Sequence, residues 1–342
     1  MSKPMFLIQL LAVILLVGLS AWIALRRFHW TKAIAWTYGV AVVGVYLGLS
    51  YLLQEGAGAA RAQLIPAAVV LVGVGFTLAL GEQFWRQYQA VQAQLIAELE
   101  QELQTAHDLQ MSMMSTENPQ IEGFEISGRC IPANHVGGDF FKYFILSDSR
   151  VAGVLADVTG HAMEAAVPML MFSGILESQM ELGGSMEALF SRLNRSLCRT
   201  LPGRTFICLQ MGELNLSDRT VRLSNSGCPY PYHYRAATGH AVELQMDAYP
   251  LGIRPDTDYP VVERQLQRGD RLVFCSDGIV EAMNGAGEPF GYDRTVEAIQ
   301  RAGQEGLSAS ATIDRILKEV KTFRGDAPQS DDITCVVVRV ET

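Results

Sequence analysis

The 342-residue chain is 49% hydrophobic and 18% charged, with a mean hydropathy of +0.15. It is too apolar for an ordinary water-soluble enzyme or a disordered chain, and too charged for a protein lying wholly in a membrane. Residues 1–81 carry five Lys/Arg against one acid, a net +4, and the remainder carries 22 against 35, a net −13. A segment that acidic repels phosphate backbones and excludes nucleic acid as a partner.

Residues 4–25, 33–54 and 62–81 hold no charged side chain. As helices, each reaches across a hydrocarbon core of roughly 30 Å, so a transmembrane region over 1–81 with three transmembrane helices is expected. Trp22, Trp30, Trp36 and Trp85 lie near the ends of these stretches, where an interfacial belt places them. The first connector, Arg-Arg-Phe-His-Trp-Thr-Lys, is the most basic. The positive-inside rule therefore sets the N-terminus outside and everything after residue 81 in the cytoplasm. The six cysteines form no CxxC pair and no Cys/His ligand spacing, which suits a reducing compartment.

From Tyr88 the apolar residues Val91, Leu95, Leu99, Leu103, Ala106, Leu109 and Met113 recur at a mean step near 3.6, predicting a helix that continues the third span. Two roles stay open for this 82–117 linker. One is a parallel coiled-coil-like seam making a homodimer; the other is docking onto its own catalytic domain. Asn118-Pro119 ends it. Residues 118–342 then alternate short apolar strands with helical blocks at 163–200 and 308–323, which reads as an α+β domain.

Four aspartates stand where apolar strands begin or end. Asp139 precedes Phe140, Phe141, Tyr143 and Phe144; Asp157 follows residues 151–156; Asp277 follows 271–276; Asp331-Asp332 opens 333–340. One such residue is ordinary turn chemistry, as at Asp148, Asp218 and Asp270. Four in one domain are harder to dismiss, because strands of one sheet can bring their ends to a common place. Gathered carboxylates repel one another unless cations neutralise them. An all-oxygen donor set selects Mg²⁺ or Mn²⁺. Two such ions suit in-line attack at phosphorus, so a binuclear phosphoester hydrolase is the reading from residues alone.

In order, the strings AHDLQMSMM, IPANHVGGDFF, ADVTGHAMEAA, SNSGCPYP, YPLGI, RGDRLVFCSDGIVEAMNGAGEPFG and SDDITCVVVRV cover roughly residues 106–340. Together they resemble the PPM metal-dependent serine/threonine phosphatases, similar to protein phosphatase 2C, in their bacterial SpoIIE/RsbU-like branch. The resemblance implies an αββα sandwich with two Mn²⁺ or Mg²⁺ ions at one edge. It implies that Asp157 bridges the ions beside the backbone carbonyl of Val158, that Asp139 supports the first, and that Asp277 and Asp331 hold the second. Asp332 has a softer role. Gly137, Gly138, Gly160 and Gly278 shape the site, and His161 protonates the leaving group or orients water.

The implied reaction is attack of a metal-bridging hydroxide on phosphoserine or phosphothreonine, without a phosphoenzyme. The implied substrate is a phosphorylated anti-anti-sigma (STAS-domain) protein. With the spans, this expects a multi-pass protein of the bacterial inner membrane, in contact with lipid, its catalytic domain cytoplasmic. Lys142 stands where relatives carry aspartate, Ala162 where they carry glycine, and Cys228 where they often carry histidine. One alternative is a catalytically silent module on the same fold. A diguanylate cyclase, suggested by Gly-Gly-Asp-Phe-Phe, fails because Phe140 occupies an acidic position and Asp157, Asp277 and Asp331 go unexplained.

Overall fold

The computed structural model describes residues 43–44 and 61–341 except 116, 161, 202 and 204. The first two expected spans lie almost wholly outside them. The third falls in α1 (Arg61–Met113), a continuous helix of 53 residues in which most side chains before residue 80 also lie outside the description. Among the described residues no helix is long and apolar enough to cross a membrane, so the three expected spans are without structural support.

The chain divides into two units, Met1–Gln101 and Glu102–Thr342. In the first, the linker stretch of α1 exposes its apolar stripe: Val91, Leu95 and Leu99 are about half or more accessible. In the second, the last turns of the helix are tied down. Gln110 and Met114 are buried, so this end belongs to the second unit, and the expected linker is divided at residue 101.

Two antiparallel sheets form the middle of the second unit. One orders its strands β1 (Gln120–Ile121), β2 (Phe124–Ile131), β11 (Ile333–Val340), β10 (Arg271–Cys275), β7 (Tyr232–Arg235) and β8 (His240–Glu243). The other orders β3 (Phe140–Ser147), β4 (Arg150–Val158), β5 (Ile207–Asn215), β6 (Thr220–Ser226) and β9 (Val262–Gln265). Leu272, Phe274 and Val336 of the first sheet join Tyr143, Leu214 and Val221 of the second in one core between them. On its outer face the second sheet carries α2 (Met163–Glu181) and α3 (Met186–Thr200), through Phe172, Leu176 and Leu193. The outer face of the first carries α5 (Gly291–Gln304) and α6 (Ala309–Arg324), through Ala298, Ile299, Ile313 and Ile316 against Val273, Cys275 and Val337. The layers are therefore α, β, β, α, the expected α+β sandwich. A fully buried Phe140 or Leu155 adds about 2 kcal/mol of hydrophobic stabilisation.

Central strands buried on both faces read as unbroken apolar runs rather than alternating ones, which is why 271–275 and 333–340 stand out in the sequence. Ser185 and Ser308 begin α3 and α6 by accepting hydrogen bonds from the Ala188 and Ala311 amides. Helix α5 was not anticipated: its apolar positions are mostly small (Ala298, Ala302), so its stripe is weak in the sequence.

Candidate metal centre

Register carries the aspartates to one edge. In the β3–β4 pairing Phe140 faces Ala156, so Asp139 and Asp157 follow as neighbours just beyond the last pair. In the β10–β11 pairing Cys275 faces Cys335, which leaves Asp277 and Asp331 at the same end of the other sheet. Asp277 opens the single-turn helix α4 (Asp277–Val280).

Three of these carboxylates are electrostatically crowded. Burial, followed by the charge of Asp157, pushes Asp139 well above the usual carboxylate range, and the hydroxyls of Thr334 and Ser276 act the other way. Asp139 is 2% exposed and its Oδ2 has no hydrogen-bond partner. Asp157 is pushed up to about 8 by burial and then by Asp277, Asp331, Asp332 and Glu281. Asp277 is pushed up to about 6 by burial, Asp331 and Glu281, opposed by the amide of Gly278. Carboxylates so arranged, with no Lys or Arg among the causes, form a cavity of negative potential that a cation relieves.

Asp332 behaves differently from its neighbours. Its Oδ1 accepts the amide of Ala133 at 2.8 Å, and its Oδ2 accepts those of Gly138 at 2.8 Å and Asp139 at 3.3 Å. The carboxylate is thus an anchor for the Gly137-Gly138-Asp139 loop. Close approach explains the glycines. A Cβ at Gly137 would stand 1.7 Å from Asp332 Oδ2, and one at Gly278 would stand 1.9 Å from the Asp332 carbonyl. At Gly138 a Cβ would meet the Val158 carbonyl at 2.5 Å, which brings that carbonyl beside Asp139 and Asp157. Gly160 has φ +113° in the turn after Asp157. His161 lies outside the described residues. Ala162 has φ +49°, a conformation that favours glycine over a residue with a Cβ.

Lys142 pairs with Glu177 of α2. Cys228 is buried, and its backbone N–H and carbonyl are both held by the side chain of Asn225. Sequence reasoning missed two residues. Glu281 adds its charge to the field at Asp157 and Asp277, one helical turn after Asp277. Gln110 of α1 exchanges two hydrogen bonds with Gly137, donating to its carbonyl at 2.8 Å and accepting its amide at 3.1 Å. The one available signal was a Gln at a position that falls among the apolar residues of AHDLQMSMM.

The donor set tests well against hard divalent cations: it is all oxygen, mutually repelling, and includes an unpartnered buried carboxylate oxygen. Among the described residues no group of three or more His, Cys, Asp or Glu side chains is arranged to hold a metal ion as it stands.

The family model for stage II sporulation protein E (SpoIIE) matches residues 147–341. The chain belongs to the SpoIIE family. Phosphoserine phosphatase RsbU of Bacillus subtilis (strain 168) is 24% identical over 272 residues, spanning 79% of this chain and 77% of that protein. The fold is similar to the SiaA-PP2C domain of Pseudomonas aeruginosa, with a TM-score of 0.62 and 20% identity, covering 72% of this chain and 98% of that one. It is also similar to RsbX, solved in complex with magnesium, with a TM-score of 0.50 and 14% identity, covering 66% and 99%. The catalytic unit is thus a SpoIIE-type, PP2C-like serine/threonine protein phosphatase domain.

Proposed function

We propose that the SpoIIE-type domain hydrolyses phosphoserine or phosphothreonine in a protein, using divalent cations held by Asp139, Asp157, the Val158 carbonyl, Asp277 and Asp331. One observation carries this reading: carboxylates from two sheets crowd one edge, where Asp157 raises the cost of ionising Asp139, Asp277 and Asp331 raise that of Asp157, and Asp331 raises that of Asp277. When bound, two Mg²⁺ or Mn²⁺ ions supply the Lewis-acid charge and activated water that in-line attack at phosphorus needs. The chain's own residues do the positioning. Asp332 holds the Gly137–Asp139 loop through the Gly138 and Asp139 amides and ties it to the Ala133 amide, and Gln110 holds the same loop from α1. Asp139 and Asp157 are thereby fixed before any ligand arrives.

The substrate we infer is a phosphorylated anti-anti-sigma (STAS-domain) protein, from kinship with the SpoIIE/RsbU branch. We further propose attachment of the chain to a bacterial inner membrane through 1–81, on the strength of the three charge-free stretches and their tryptophans, with the 102–342 unit on the cytoplasmic side. The exposed Val91–Leu95–Leu99 face supports a homodimer seam. The Gln110–Gly137 pair gives the linker helix a direct mechanical connection to the metal loop.

The test is phosphate release by the full chain from a phosphoserine protein, with Mn²⁺, with Mg²⁺ and with chelator, alongside Asp277→Asn. Release should require the ion and fall about a thousandfold in the variant, the rate equivalent of ~4 kcal/mol of lost charge stabilisation. Activity that persists in chelator would sink the metal reading. Two bound ions without release would favour the silent module.

A further inference from the structure

A cleft of about 860 Å³ opens beside Asp277, within the size range of substrate pockets. One wall is the Cys228-Pro229 turn, held rigid by the 1%-exposed Asn225, whose amide donates to the Cys228 carbonyl at 2.9 Å. The rest of its lining comes from the end of β8 with the segment after it, from α4 and Glu281 beyond it, and from the start of α5. These unrelated elements contribute one kind of charge. Glu243 comes from β8, Asp247 from the following segment, Glu281 from beyond α4 and Asp293 from α5, and no Lys or Arg lines the cleft. Asp247 accepts the Tyr230 hydroxyl, and none of these four acids takes part in an ion pair with another described residue.

The acids cannot serve the phosphoryl group, which is itself an anion. Cations at Asp139, Asp157, Asp277 and Asp331 would neutralise the site edge, leaving Glu243, Asp247 and Asp293 as fixed negative charge along the cleft. Low-dielectric walls focus such a field, and it attracts one class of polypeptide while repelling the other. We propose that this cleft receives the chain on either side of the phosphorylated residue and selects substrates with Lys or Arg there, rejecting those with Asp or Glu. The proposal rests on the phosphatase reading and deepens it by naming the substrate's flanking chemistry.

The test uses the full chain with its divalent ion and three phosphoserine peptides, identical except for Lys, Ala or Glu beside the phosphoserine. p-Nitrophenyl phosphate, which has no flanks, is the fourth substrate. The Lys peptide should exceed the Glu peptide about tenfold or more in kcat/KM, mostly through KM, and the ratio should shrink at high salt. Asp293→Asn and Asp247→Asn should each lower the ratio, and Asp247→Lys should move it toward the Glu peptide. Equal rates on all three peptides, with p-nitrophenyl phosphate still hydrolysed, would overturn the cleft proposal and leave the phosphatase standing. No hydrolysis of any substrate would overturn both.

Discussion

Asp139 and Asp270 are almost equally inaccessible, at 2% and 3% exposure, and both sit beside the first residue of a strand. Their surroundings are opposite. Asp270 stands 2.9 Å from His233 Nε2 and accepts the amides of Ala236 at 2.9 Å and Gln267 at 3.1 Å. Burial pushes its carboxyl up, but those donors hold it below the ordinary value. Asp139 has another carboxylate for a neighbour and an oxygen with no partner. Burial alone therefore does not mark a functional acid. The mark is burial that internal donors fail to offset, because a fold that only needed the residue for structure would satisfy it, as this one does for Asp270 and Asp332.

Substitution separates the two aspartates most sharply. Asp270→Ala should cost about 3 kcal/mol by leaving His233 and two amides unsatisfied, read as a lower denaturation midpoint. Asp139→Asn, with chelator present, should raise stability by about 1–3 kcal/mol, read as a higher midpoint, since it removes a buried, crowded carboxyl that the Thr334 and Ser276 hydroxyls only partly offset. Two losses of similar size would erase the distinction.

The pH dependence gives a second contrast. Asp270 has a folded value below its unfolded one, so its stabilisation is present above the ordinary carboxylate value and is lost as pH falls through the folded value. Asp157 has the reverse sign: its folded value of about 8 lies above an unfolded value near 4. Without divalent ions the native state then binds a proton that the unfolded state does not. Stability should therefore decline as pH rises from about 4 to about 8. Midpoints measured in chelator across that window should fall, and adding Mg²⁺ should flatten or reverse the slope. A midpoint that climbs through the window in chelator would contradict the crowding at Asp157.

The smallest expected effect lies in the turn that follows Asp157. Ala162→Gly should stabilise by about 1 kcal/mol, because a side chain at φ +49° is strained and glycine is not. An unchanged midpoint would mean the turn relaxes around alanine.

Much of this was readable from the residues. Strands buried on both faces announced themselves as the apolar runs at 271–275 and 333–340, and the aspartates at their ends announced an edge. The linker helix followed from its 3.6-residue spacing. Other features had no local signature. Helix α5 was hidden because small side chains make its buried stripe, and the role of Asp332 was hidden because it sits next to Asp331 in an identical local context. Only the Asp332 carboxylate turns toward the Gly138 and Asp139 amides, some 190 residues earlier in the chain.

Local order in the chain thus determined which segments become strands and helices, and which carboxylates lie at their boundaries, since periodicity and turn chemistry act over a few residues. Which carboxylates share a field, which are satisfied by amides, and which open onto an acidic cleft were decided by antiparallel register between strands remote in sequence. Coulombic repulsion and hydrogen bonding depend on distance in space, and only the closed sandwich sets those distances.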